Sequence, residues 1–436
     1  MTADGSDLMT SSKNFVQGNA ISELADQFGT PLFVYDSDVL AATYRALRDA
    51  LPRTVDVFYS LKANPNVSVC ALLHSFGAGA EVSSFAELVT ALRAGVAPED
   101  IIFLGPGKDE RELAACVEAG IHAIVCESLD ELDLLDSLPV AASGDVVPVL
   151  IRVNPAFGTK GSGLAMGGKP RQFGIDEAEL RRSKHRIAAL RNIRVMGVHV
   201  YMGTRFLNHE DVIHNTQRIL ALAEDVAGQL GFPLETVDFG GGLGVAYFDN
   251  EEDMDLDALG AGLTEVLSPF SLRNPNCRMI MELGRFLTAM AGTYVVRARY
   301  VKESMGESFV VADGGTNHHM AAVGVGSFVK RNFPVRHAEK SEAEELRPYN
   351  VTGPLCTPND VVAKKVRLPT VRPGDLLAVE RSGAYGPTAS PGLFLSHGFP
   401  AEVMVHKGQA HLIRDRDTTE DLLARQHLVN FHSASG

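Results

Sequence analysis

Between residue 36 and about residue 286, short apolar runs rich in β-branched residues alternate with longer segments of helical period. Eight such runs stand at 55–61, 78–82, 101–104, 122–126, 148–153, 195–201, 235–239 and 278–282. Runs this short and apolar predict strands covered on both faces. Strands separated by helices predict parallel pairing, because a parallel connection needs a covering crossover. Eight βα units predict an α/β fold with a closed (β/α)8 TIM-type barrel rather than an open sheet, with a helix over 37–50 supplying the eighth helix. Ser84 with Glu87 and Ser128 with Glu131 read as capping boxes, and Gly95 and Gly120 stand where C-terminal caps are expected.

The 436 residues exceed one barrel, which takes roughly 250 residues, so a second domain is expected. After residue 287 the pattern turns β-rich, with runs at 292–301, 307–313, 349–352, 361–368 and 375–380 and a short helix over 418–427. This predicts an antiparallel β-domain whose first strand comes from the N-terminal 30 residues. The boundaries read from the chain are 36–286 for the barrel, and 1–35 with 287–436 for the β-domain. The stretch 336–348 reads as a polar surface excursion.

Composition excludes several classes. No stretch approaches the ~18 to 20 apolar residues of a membrane span. The N-terminus carries acids and hydroxyls where a signal peptide would be basic and then apolar. A formal charge of −14 opposes binding to nucleic acid. Five cysteines with no C-x-x-C pair fit reduced thiols in a cytoplasm.

A (β/α)8 barrel places its chemistry at the C-terminal strand ends. Lys62 closes the first strand as either a solvated rim residue or an amine aimed into the mouth. Gly240, Gly241 and Gly242 close the seventh, as a simple turn or an anion cradle. Glu282, with Gly284 and Arg285, closes the eighth as a structural ion pair or a site carboxylate. His199 and Tyr201 share one face of the sixth, by alternation. An amine, a phosphate cradle, a carboxylate and an aromatic face together match the needs of pyridoxal 5′-phosphate. Adjacent His318 and His319 lack metal-ligand spacing, so no metal is expected.

The ordered motifs SLKAN (60–64), GAEVSSFAEL (79–88), IIFLGPGK (101–108), RVNP (152–155), QFGID (172–176), DFGGGLG (238–244), ELGR (282–285), DGG (313–315), GPLCTPND (353–360) and SGAYG (382–386) resemble the pyridoxal-phosphate decarboxylases of the alanine racemase-like fold: diaminopimelate, ornithine and arginine decarboxylases. The resemblance implies Lys62 as the cofactor-bearing lysine and Glu282 as the acid on the pyridinium nitrogen. It implies phosphate contacts from Gly240, Gly241, Gly242, Arg285 and Tyr385, with Gly284 beside them, and ring support from Glu81 and Arg152. It also implies that Cys356 is a thiol or proton donor presented to a partner subunit's site, hence a homodimer with shared sites.

In diaminopimelate decarboxylases the sixth strand reads H-x-H-x-G-S, whereas this chain has His199-Val-Tyr201-Met-Gly203-Thr204. The stacking ring is then Tyr201 or His199, with Thr204 in place of the phosphate-binding serine. Thr357 replaces the acid that pairs with a distal ammonium, and an unpaired buried charge is costly. Free diaminopimelate, ornithine and lysine are therefore disfavoured. Asn317, His318, His319 and Arg171 join Thr357 as expected substrate contacts. The chain is most similar to the natural-product branch that acts on carrier-bound amino acids, such as the butirosin-pathway L-glutamyl-carrier-protein decarboxylase and relatives acting on 3-methylaspartate. An acyl carrier protein is the partner this implies. Lys330, Arg331 and Arg336, or Arg181, Arg182, Lys184 and Arg186, are expected docking patches or ordinary solvated faces. The alternatives are a decarboxylase or racemase of a free amino acid, and a non-catalytic regulator.

Overall fold

The computed structural model describes residues 14–139, 146–323, 331–340, 344–429 and 431. The chain divides into two compact units, residues 37–291 and residues 1–36 with 292–436.

Every apolar run expected in the first unit forms a strand: β1 (Val55–Ser60), β2 (Gly79–Val82), β3 (Ile101–Phe103), β4 (Ala123–Cys126), β5 (Val147–Asn154), β6 (Ile193–His199), β7 (Thr236–Gly241) and β8 (Arg278–Leu283). Neighbours in sequence pair in parallel, and β8 pairs with β1, Glu282 standing opposite Phe58, so the barrel closes. Its interior is filled by Phe58, Ile102, Ala123, Val125, Leu150, Met196 and Ile280, all essentially buried. It is a packed core with no pore, so a ligand is confined to the mouth.

After β8 the chain makes only the four-residue helix Arg285–Thr288, and Ser37–Ala50 packs against it and against Leu256–Arg273. The helix expected over 37–50 thus covers the closing seam. Helix starts follow the expected hydroxyls: Ser84 Oγ accepts from the Glu87 amide at 3.2 Å and Ser128 Oγ from the Glu131 amide at 3.1 Å. The reciprocal half of each box differs from expectation. The Glu87 carboxylate accepts from Ser83 N at 2.8 Å and that of Glu131 from Glu127 N at 2.8 Å, one residue upstream of the cap. Asp109 and Glu112 form a complete box. Gly95 and Gly120 follow helices at φ +90° and +66°, where a side chain would be strained.

The second unit is built on the long strand Gly292–Ser304, antiparallel to Leu32–Asp36, Glu307–Ala312 and Leu376–Val379. Two ladders run parallel, against the antiparallel expectation: Glu307–Ala312 with Arg347–Thr352, and Leu32–Asp36 with Ala401–His406. Both join strands far apart in sequence, where no tight turn dictates direction. The N-terminal strand of this sheet is Leu32–Asp36, just past the 30 residues expected to hold it. The hairpin Ala401–His406 with Gln409–Arg414 was not anticipated, although a Lys407-Gly408 turn at positive φ marks it. The C-terminal helix is shorter than expected, Thr419–Leu423.

The stretch 336–348 is not simply a surface excursion. Val335–His337 pairs with Leu376–Val379 and Arg347 opens another strand, while 341–343 lie outside the described residues. Arg336 and His337 are buried because Glu380 and Asp375 meet them at 2.8 and 3.0 Å. Among the described residues no helix is long and apolar enough to cross a membrane.

The barrel's helical coat includes one backbone approach that only glycine permits. A Cβ at Gly260 would lie 2.1 Å from the Ala50 carbonyl oxygen, whereas one at the exposed Gly228 meets nothing within 4 Å. Gly260→Ala should cost about 1–3 kcal/mol by overpacking. Gly228→Ala should gain up to about 1 kcal/mol through helix propensity. Denaturant unfolding of the two variants checks the opposite signs.

Candidate active site

After β1 the backbone tightens into a 3-10 turn, Leu61–Ala63, that carries Lys62. Its Nζ donates to Glu81 Oε2 at 2.9 Å and lies 5.6 Å from the centre of the Tyr201 ring. Glu81 sits on β2 with no exposed surface, and Ser83 Oγ donates to its other oxygen at 2.9 Å. The amine is about one-third exposed, so it is held by a buried acid while remaining accessible. A Cβ at Gly284 would stand 2.7 Å from Ala63 Cβ, so the glycine lets the end of β8 pack directly under this turn.

β6, β7 and β8 bring three titratable groups together in the barrel. The ladder register sets His199 opposite Asp238 and Glu282 opposite Gly241. His199 Nε2 lies 3.2 Å from Glu282 Oε1, both side chains almost wholly buried. Neither Glu282 oxygen has a hydrogen-bond partner of good geometry among the described residues. Burial alone would raise the Glu282 pKa. The His199 imidazole and then the Lys62 ammonium outweigh it and hold the carboxyl well below the usual range. Asp238 goes the other way: burial, reinforced by the charge of Glu282, pushes it well above the ordinary carboxylate value. Its Oδ1 accepts from the Gly240 amide at 2.8 Å. The two acids are pushed in opposite directions, as expected for two carboxyls sharing one dry site.

The donor atoms of His199, Asp238 and Glu282 all lie within 4.8 Å of one another. No local spacing in the chain marks this cluster, because its members come from three separate strands.

The glycine run has a steric duty. A Cβ at Gly240, at φ +67°, would come within 2.8 Å of the Tyr201 ring, and one at Gly241 within 2.2 Å of the Glu282 carbonyl. A Cβ at Gly242 would reach the Gly203 carbonyl at 2.0 Å. Arg285 Nη1 donates to the Tyr247 hydroxyl at 3.1 Å. Thr204, half-buried, pairs with Leu164, and its carbonyl accepts from Gly163 N at 2.9 Å. Arg152 is committed to a buried pair with Glu127 at 2.8 Å and stacks over Phe173. Glu127 also accepts from the amides of Gly105 and Gly174 at 2.9 and 3.2 Å. Sequence reasoning missed Glu127, for which an acid directly after β4 is the available signal. Arg171 is exposed on the segment that follows β5.

The remaining expected residues belong to the other unit. Asn317 and His319 have no exposed surface and His318 is 4% exposed. His318 Nε2 lies 2.9 Å from the Gly398 carbonyl and Nδ1 3.3 Å from the Tyr294 hydroxyl. His319 Nε2 lies 2.8 Å from Ser382 Oγ, its ring against Phe33, Tyr294 and Phe333. The three were expected to meet substrate, but burial turns them inward as core polar groups. Cys356 is exposed and Thr357 half-buried, on a turn fixed by Asp360, whose carboxylate accepts from the amides of Thr316 and Leu355 at 2.7 and 2.8 Å. Tyr385 is half-buried at φ +55°, a strained conformation of the kind found at functional turns.

The expected docking patches are largely neutralised. Arg336 is buried against Glu380. Arg186 pairs with Asp130 and Asp133, and Arg181 with Glu177 and Asp225, leaving Arg182 and Lys184 exposed. Arg331 is partnered, and Lys330 lies outside the described residues.

Burial lowers the His318 pKa from 6.5 to about 4. Between these values the unfolded chain binds the extra proton, so the stability from the neutral buried ring is complete above pH 6.5 and is lost as pH falls through 4. The loss should be on the order of 2 kcal/mol by pH 5. Denaturant unfolding at pH 7 and 5 should show a smaller decline for His318→Gln than for the unaltered chain.

Residues 38–289 match the family model described as the pyridoxal-binding domain of pyridoxal-dependent decarboxylases. Over 410 residues, covering 93% of this chain and 96% of the other, the sequence is 38% identical to the L-glutamyl-[BtrI acyl-carrier protein] decarboxylase of Niallia circulans. It is 31% identical over 404 residues, 92% of this chain and 93% of the other, to the diaminopimelate decarboxylase of Aquifex aeolicus. The crystal structure of Helicobacter pylori diaminopimelate decarboxylase with L-lysine superposes with a TM-score of 0.82 at 29% identity, over 92% of this chain and 98% of that one. The chain belongs to the pyridoxal-dependent amino-acid decarboxylases of the barrel-plus-β-domain fold, with pyridoxal 5′-phosphate as its cofactor.

Proposed function

We propose that this chain removes the α-carboxylate of an acidic amino acid, glutamyl or 3-methylaspartyl in type, tethered to an acyl carrier protein. The observation that carries the site assignment is Glu282, an ionised carboxylate buried with both oxygens lacking a hydrogen-bond partner among the described residues. A pyridinium N–H is the donor such a group needs. When bound, pyridoxal 5′-phosphate supplies the electron sink that takes up the charge left as CO2 departs.

The residues then divide the work. Lys62 would hold the cofactor through its Nζ, which Glu81 orients. Tyr201 is the stacking ring, because its face lies under the Lys62 amine while His199 is turned onto Glu282. Gly241, Gly242, Arg285 and Tyr385 would hold the phosphate; the Gly240 amide is committed to Asp238. Cys356 would serve as the proton donor, in a cytoplasmic homodimer with shared sites.

The substrate reading rests on Thr357, which supplies no carboxylate for a distal ammonium, and on the carrier-bound substrate in the name of the Niallia circulans relative. The second reading, a free diamino acid, is favoured by the diaminopimelate decarboxylases among the relatives. A racemase or a non-catalytic regulator has no such support.

Lys62→Ala should abolish both the visible absorbance of the lysine-bound cofactor and turnover; retention of both rejects the assignment of Lys62. L-glutamate loaded on the BtrI acyl carrier protein should be decarboxylated with a kcat/KM at least about tenfold above that for free L-glutamate or diaminopimelate, read by mass spectrometry as loss of CO2. Equal or better use of a free amino acid overturns the carrier reading.

A further inference from the structure

The segment between Pro155 and Ile175, leaving the C-terminal end of β5, contains Lys160, Lys169 and Arg171 and no acidic residue. It stands out in a chain of net charge −14. Elsewhere the arginines expected to attract a partner are matched by acids, as Arg181 and Arg186 are. Lys160, Lys169 and Arg171 are exposed and form no ion pair among the described residues. Leu164, 56% exposed, lies among them in sequence.

The segment is tied to the site rather than loose on the surface. Leu164–Ala165 pairs with Gly203–Thr204, and the amides of Met166 and Gly167 donate to the Met202 carbonyl at 2.9 and 3.3 Å, one residue beyond Tyr201. At its base, Asn154 Nδ2 donates to the Lys169 carbonyl at 3.1 Å, and Asn154 Oδ1 accepts from Gly168 N at 2.9 Å. The Arg218 guanidinium covers Phe157 at 3.8 Å. The backbone is therefore anchored beside the mouth, while the cationic side chains face solvent.

We infer that this segment is the docking surface for an acidic carrier protein, which would deliver its tethered amino acid past Tyr201 to Lys62. This deepens the carrier-bound reading of the function and rests on it. An exposed apolar residue on a segment whose own charges are all cationic fits the anatomy of a small protein interface, Asp211 beside Gly161 being the acid that lies against it. Complementary charge overcomes the repulsion that the whole-chain field exerts on an acidic partner.

The test uses the holoenzyme, the L-glutamyl-loaded BtrI acyl carrier protein, and the L-glutamyl thioester of N-acetylcysteamine as a substrate without the protein. Lys160→Glu/Lys169→Glu should raise KM for the loaded carrier roughly tenfold at low ionic strength and weaken its salt dependence. Turnover of the small thioester and the visible cofactor absorbance should stay unchanged, which shows that the variant is folded. Lys160→Gln/Lys169→Gln should give a smaller rise of the same sign. If the unaltered enzyme uses the loaded carrier and the reversal leaves its KM unchanged, the docking surface is overturned and the substrate reading stands. If the unaltered enzyme uses the loaded carrier no better than free L-glutamate, the substrate reading fails and the docking inference falls with it.

Discussion

A negative charge held in the dry interior of a closed barrel is the constraint around which the site is arranged. Burial alone would raise the Glu282 pKa, and the His199 ring 3.2 Å away and the Lys62 ammonium oppose it, while Asp238 beside it is pushed the other way. The three groups come from β6, β7 and β8, which meet only because a parallel sheet pairs its successive strands. The register decides the outcome: His199 stands opposite Asp238, and Gly241 opposite Glu282. A side chain on Gly241 would strike the Glu282 carbonyl, so the glycine run is a packing requirement of the buried acid before it is a phosphate cradle.

The same geometry separates two rings that alternation alone places together. His199 and Tyr201 share a face in sequence, but the strand ends at His199, and Tyr201 follows on segment packed over Gly240. One ring is thereby fixed to the buried acid and the other beside the lysine. On the reading proposed here, this division of labour lets a tyrosine stack where diaminopimelate decarboxylases carry a second histidine.

Much of the barrel was legible because its signals are local. Short β-branched runs mark strands, and Ser84 and Ser128 mark helix starts, so all eight strands fall within a few residues of their expected positions. What was not legible depends on distant partners. Arg336 reads as a surface cation until Glu380 meets it, and His318 and His319 read as ligand groups until Tyr294, Gly398 and Ser382 enclose them. The parallel ladders of the second unit join strands that are not sequence neighbours, Leu32–Asp36 with Ala401–His406 and Glu307–Ala312 with Arg347–Thr352, which no local pattern encodes. Lys62, Glu282 and the glycine run were legible as a set, since each stands at a strand end. That the His199 imidazole would meet Glu282, with Asp238 as a second carboxyl beside them, was not legible, because no spacing links three strands.

The protonation state of the cofactor's ring nitrogen tests the central claim most directly. Enzyme reconstituted with cofactor labelled with nitrogen-15 in the ring should show, by NMR at neutral pH, a protonated nitrogen, and Glu282→Gln should shift it to the unprotonated form. An unprotonated ring nitrogen in the unaltered enzyme, or a protonated one that survives the loss of the Glu282 charge, would contradict the account.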